Sequence, residues 1–179
     1  MTQSFPKHML CACMGLLSLQ ASALDSMTRS ANIVTMGLPA FAAGMSLLND
    51  DTAGLVQLVK SEAVTLGIVE VLKSTTHETR PNGKDDKSFP SGHAAVAFSA
   101  AQYLQTKGGW EYGAPAYAAA SFVAYARVDA REHRWRDVAA GAATGMLTTR
   151  YFMDDNTGRR LSMGWTGRSA LFQFQQPLK

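Results

Sequence analysis

Between residues 73 and 137 the chain sets histidines, cations and one carboxylate at intervals inside segments built mostly of Ala, Val and Phe. They fall in three clusters: Lys73 with Arg80-Pro81, then Pro90-Ser91-Gly92-His93, then Arg127 with His133 and Asp137. Ionisable side chains stay out of protein interiors unless they are paired or meet a ligand. A fold of this chain must therefore turn each of them to the surface or bring them together. Brought together, two histidines and three cations make an anion site.

Length bounds the answer next. A chain of 179 residues suffices for one domain with one sizeable core. An apolar share of 46% is ordinary for a globular protein and argues against disorder and against a chain wholly embedded in lipid. The formal charge of +3 is small, and the basic residues are scattered instead of forming a stripe, so no nucleic-acid partner is expected.

Residues 1–23 read as a secretory signal peptide: Lys7 and His8 precede an apolar run, and Ala21-Ser22-Ala23 offers an A-x-A cleavage pattern. Residues 24–179 then form a single domain. Both cysteines, Cys11 and Cys13, fall in the leader, so the remainder carries no thiol, which suits an oxidising, periplasm-like compartment. The alternative is an uncleaved anchor, although the run is shorter than the ~20 residues a span needs.

The expected fold class is all-α, a helical bundle of about five or six helices with a short irregular or β-hairpin C-terminal tail. Residues 32–48 are uncharged, and Asn32, Thr35, Pro39 and Ser46 favour a buried core helix over one that touches a bilayer. A second helix starts at the acidic run 49–52 and continues to Lys73, with Leu55, Leu58, Val59, Leu66 and Val69 on one stripe and Glu62 as its polar exception. Lys73 extends that stripe and should point inward; the alternative is a lysine that snorkels at the helix end.

Residues 74–89 are a surface loop. Arg80 precedes Pro81 there, on extended backbone that could carry its guanidinium across to a site or leave it solvated. Ser91 is a good N-cap for a third helix, Gly92 leaves the amides behind it open, and His93 sits in the first turn. That is an anion site in physical terms, or else a capped helix with a core histidine. A glycine-rich turn at 107–113 leads to a fourth helix at 114–127, and a fifth covers about 138–153 with Gly141 and Gly145 allowing close packing. His133 and Asp137 are four apart, so on a helix the carboxylate could accept from one ring nitrogen and leave the other a better nucleophile. The alternatives are a surface ion-pair network, given Asp129, Arg131, Glu132, Arg134 and Arg136, or a metal site lacking a third ligand. In the tail, residues 161–165 and 171–174 could pair as a hairpin.

Taken jointly, the three clusters resemble the three-part signature of the type 2 phosphatidic acid phosphatase superfamily, which also includes bacterial class A acid phosphatases and vanadium haloperoxidases. The spacing runs Lys73, six residues, Arg80-Pro81; Pro90-Ser91-Gly92-His93; Arg127, five residues, His133, three residues, Asp137. The resemblance implies a phosphatase in which His133 attacks phosphorus, Asp137 orients it, and His93 protonates the leaving group and then activates water. It implies that Lys73, Arg80, Ser91, Gly92 and Arg127 bind the phosphoryl oxygens, with no metal or cofactor. Ala126 stands where the family usually has Ser, so a phosphate-facing hydroxyl is missing and a reduced rate with an unchanged mechanism is expected.

The favoured substrate is a lipid phosphate or diphosphate presented at a membrane surface, with peripheral membrane contact. The alternatives are a soluble acid phosphatase on small phosphomonoesters, a vanadate-dependent haloperoxidase, and a protein that binds phosphate without turnover.

Overall fold

The computed structural model describes the backbone of residues 7–153, 160–165 and 170–175 and the side chains of residues 26–153. Helix α1 is Lys7–Leu48, α2 is Thr52–Thr76, α3 is Gly92–Asp129 and α4 is Trp135–Met153. Strands β1 (Arg160–Trp165) and β2 (Ala170–Gln175) pair antiparallel, with Leu161 opposite Phe174 and Trp165 opposite Ala170, as the tail pattern suggested. Of the expected leader, residues 1–6 lie outside the described residues and 7–23 fall in the part of α1 whose side chains are not described.

Local chemistry sets the helix ends. Asp51 caps α2 by accepting from the Gly54 amide at 2.8 Å. At the other end His77 takes the left-handed conformation, and its N–H returns to the Lys73 carbonyl. Ser91 caps α3, its side chain accepting from the Ala94 amide. The glycine-rich turn expected at 107–113 contracts to one break: Gly109 has φ 70° and ψ −168°, and the helix resumes at once through Pro115. Divided there, α3 forms two rods, and the bundle has five.

Packing is close because facing residues are small. The α3 interior is largely alanine, from Ala94 and Ala95 through Ala126. Gly141 and Gly145 of α4 lie directly on the α3 backbone: a Cβ at Gly141 would meet the Ser91 carbonyl, and one at Gly145 the Ala95 carbonyl. The first two turns of α3 are thereby pinned to α4.

Two sequence expectations are corrected. Helix α2 buries Gly54, Leu58, Ser61, Thr65 and Val69, while Val59 and Leu66 of the anticipated stripe are exposed, along with Val56, Ile68 and Val71. Its small and hydroxyl-bearing side chains face inward, where Thr65 bonds Thr148 of α4. The second correction concerns α1. Its segment Ser26–Leu48 spans 23 residues, and its most apolar stretch reaches a mean hydropathy of 1.5 while only 28% of that stretch is buried. Ala31, Thr35, Ala42 and Ser46 make one inward face, and Ile33, Met36, Phe41, Leu47 and Leu48 lie on the exposed side. A buried core helix would be covered all round; this one is long and apolar enough to cross a bilayer and is packed on one face.

Candidate active site

The three clusters meet at one end of the bundle. Lys73, in the last turn of α2, carries its ammonium to the start of α3, where a Cβ on Gly92 would lie 3.5 Å from it. It is half-buried and 3.7 Å from Glu70, so it points inward as the stripe argument required, although the stripe itself is different. His93 begins the same helix and senses the charges of Arg127, Glu132, His133 and Lys73. Burial, followed by Arg127 and the other cations, pushes its pKa down to about 4, so its imidazole is neutral in the empty site.

Arg80 leaves the 77–91 loop as expected for an arm that reaches across. Its backbone N–H bonds Asp85, the Gly83 amide returns to the Arg80 carbonyl in a turn with Gly83 at φ 73°, and Nε donates to Asp85 Oδ1 at 2.6 Å. Its Nη1 stands 3.6 Å from Glu132. The loop is also tied to the turn after α3, where Asn82 N–H donates to the Arg131 carbonyl at 2.9 Å.

Arg127, in the last turn of α3, is only 2% exposed. It donates to Glu132 at 2.7 Å and to Asn32 of α1, and its Nε is buried with no hydrogen-bond partner. Burial raises Glu132, but the Arg127 hydrogen bond and the Arg127 and Arg80 charges outweigh it and hold the carboxyl below its ordinary value. Glu132 is therefore an anion set between two arginine forks, not part of a surface network. Among the other charges of that stretch, Arg134 and Arg136 do form exposed pairs with Glu78.

His133 and Asp137 differ in detail from the helical pair anticipated. His133 precedes α4, in the turn that contains Arg131 at φ 53°, and its N–H bonds back to the Arg127 carbonyl. Its Nδ1 donates to the Ser88 carbonyl at 2.6 Å, while Asp137 Oδ2 is 3.9 Å away, too far for a hydrogen bond. That oxygen accepts instead from the Ser88 hydroxyl at 2.6 Å and the Arg134 amide at 2.8 Å. Asp137 thus holds Ser88, and Ser88 holds the histidine. Burial pushes His133 down to about 4, leaving a neutral ring whose Nε2 carries the lone pair once Nδ1 is the donor. Asp137 also fixes Ser91, whose N–H donates to its carbonyl at 2.9 Å.

All eight candidate residues, Lys73, Arg80, Ser91, Gly92, His93, Arg127, His133 and Asp137, lie in this connected region. Ser88, Glu132 and Asn32 join them without having been singled out as site residues. Ser88 acts through a main-chain carbonyl, which has no sequence signature. Asn32 did have one, as the lone carboxamide of the uncharged segment 32–48. Ala126 belongs to the apolar cluster that includes Ala31 and Val123, so its methyl is part of the helix packing. A cavity of about 190 Å³ opens beside the site, lined by Thr35 and Met36 of α1, Leu66, Val69, Glu70 and Lys73 of α2, and Gly92, His93 and Val96 of α3.

The chain is 33% identical over 130 residues to a lipid A 4'-phosphatase of Helicobacter pylori, covering 64% of this chain and 66% of the relative. It is 36% identical over 85 residues to a lipid A 1-phosphatase of Porphyromonas gingivalis, covering 45% of this chain and 19% of that longer protein. The chain therefore spans just under two thirds of the first relative and a fifth of the second. The crystal structure of Aquifex aeolicus LpxE shares the fold, with a TM-score of 0.55 at 20% identity over 73% of this chain and 94% of that one. A model of the PAP2 superfamily matches residues 54–160, a stretch that holds all three polar clusters, and the chain belongs to that superfamily.

Proposed function

We propose that this protein is a phosphatase that hydrolyses phosphate monoesters or diphosphates of lipids at a membrane surface through a phosphohistidine intermediate. The observation that carries the reading is the meeting of His133, locked as an Nδ1–H donor on Ser88, with buried Arg127, Arg80 and Lys73 beside an apolar cavity.

In the first step Nε2 of His133 bonds to phosphorus, the bond from phosphorus to the ester oxygen breaks, and His93 supplies the proton to the departing alcohol. In the second, His93 takes a proton from water, the oxygen attacks phosphorus, and the bond to His133 breaks, releasing inorganic phosphate and the neutral ring. Lys73, the two arginines and the amides at the start of α3 stabilise the negative charge that builds on the non-bridging oxygens. Burial first, and the same cations second, disfavour protonated His93; a phosphate dianion placed beside it offsets their field and raises its basicity.

The lipid class is supported by three features: the names of the two curated relatives, the outward apolar faces of α1 and α2, and the Leu66, Val69 and Val96 walls of the cavity. Those outward faces disfavour a freely soluble acid phosphatase, because large contiguous apolar surface is rare on soluble monomers. Cleavage after Ala23 and a periplasmic site belong to the same proposal.

The test is phosphate release by the full chain in detergent micelles from a lipid phosphate and from a small aryl phosphate, beside His133→Ala. Preference for the lipid, with an acid-labile phosphoenzyme absent from the variant, supports the reading. Equal rates on both substrates overturn the lipid assignment, and turnover by the variant at a rate near the parent's overturns the nucleophile.

A further inference from the structure

Outside these motifs, α1 brings a polar side chain of its own to the site. Arg127 is held from two sides by acceptors of different charge: the Glu132 carboxylate at 2.7 Å, and the neutral Asn32 carboxamide from a helix 95 positions earlier. Asn32 lies outside the stretch that matches the family, residues 54–160.

Three observations give this contact weight. Arg127 is almost fully buried, and its Nε lacks a partner, so the guanidinium keeps an unsatisfied donor for an incoming anion. Asn32 is a carboxamide between Ala31 and Ile33 in a segment with the length and hydropathy of a membrane span, where an unpartnered polar group is costly. Its neighbour Ala31 shares an apolar cluster with Ala126, next to Arg127, so small residues on both helices let α1 come close enough for the contact.

The charges also divide sensibly. One carboxylate already offsets part of the Arg127 charge. A second would cancel more of the field that attracts phosphate, whereas a neutral acceptor fixes the plane of the fork and leaves its charge available.

We propose that Asn32 is a positioning residue for Arg127, so that α1 completes the phosphate site and is not only a hydrophobic support. The inference rests on the phosphatase reading for its kinetic consequence but not for its binding consequence.

The experiment compares full-length parent, Asn32→Leu and Asn32→Gln in detergent micelles by thermal unfolding, steady-state kinetics and calorimetric binding of inorganic phosphate. Leu suits an apolar helix, so its melting temperature should be unchanged or raised, while phosphate binds about tenfold more weakly and kcat/KM falls about tenfold, as expected for a lost hydrogen bond to a charged group. Gln restores the carboxamide and should recover most of both. Phosphate affinity in Asn32→Leu equal to the parent's overturns the proposal, and so does a loss in which Leu and Gln are equally impaired and both melt early. If the parent shows no turnover of any ester, the phosphatase reading fails, and the binding comparison still decides the role of Asn32.

Discussion

His133 Nδ1 donates to the main-chain carbonyl of Ser88 at 2.6 Å, and that contact, not one to a carboxylate, fixes the tautomer of the proposed nucleophile. The Ser88 hydroxyl is in turn held by Asp137 at 2.6 Å. The three residues form a short relay of position. His133→Ala should lower turnover by at least ~10²-fold. Ser88→Ala keeps the carbonyl but releases it from Asp137, and should lower kcat about tenfold with little change in KM, a loss consistent with one charge-assisted hydrogen bond. A Ser88→Ala enzyme with parental kcat would show that the carbonyl is held by the backbone alone.

The pH dependence of catalysis should differ between free and loaded enzyme. His93 sits at about 4 when the site is empty, because burial and the cations around it oppose its protonation. If its protonated form is the acid, kcat/KM falls as pH rises through that low value. Bound phosphate neutralises the cations and raises His93, so the descending limb of kcat should lie at higher pH than that of kcat/KM. Superimposable limbs would argue against His93 as the acid.

Glu62 should make stability depend on pH. Both its oxygens are buried, and burial pushes its carboxyl up to about 7 from 4.5, the neighbouring Ser99 hydroxyl opposing only part of the shift. The folded state then holds a proton that the unfolded chain releases between these values. Stability from this group is full below about 4.5, declines as pH rises toward 7 and is level above it, for a total on the order of 3 kcal/mol. Glu62→Gln should flatten that slope and raise the melting temperature at neutral pH; an unchanged slope would place the pH dependence elsewhere.

Gly141→Ala should disturb both fold and site. The new methyl would press on the Ser91 carbonyl at the cap of α3, and overpacking of this kind costs roughly 1–3 kcal/mol. Since Ser91 starts the helix that carries His93, kcat/KM should fall together with the melting temperature. Gly37→Ala, where a Cβ meets nothing within 4 Å, is the matched control and should leave kcat/KM unchanged and the melting temperature unchanged or raised.

Much of this arrangement was legible in the residues because the chemistry that selects them is local. Ser91 as a cap, Arg80 before a proline, and Lys73 at the end of a helix each have a positional reason. What eluded the sequence depends on contacts between distant segments. Periodicity locates a stripe of large apolar residues and so misses the buried face of α2, where Ser61 and Thr65 turn inward while Val59 and Leu66 turn out. The glycines at 107–113 mark where α3 breaks but not how briefly, since one glycine at positive φ, Gly109, suffices to bend it. Glu132 read as one charge among many until its position between two arginines was known.

Helix α2 keeps its hydroxyls for its neighbours and gives its valines to the surroundings. Washed free of amphiphile, such a helix turns Val56, Val59 and Val71 to water, so the purified chain is expected to clump in plain buffer. The same side chains that would spoil a preparation in the test tube are those that would keep the enzyme beside its substrate.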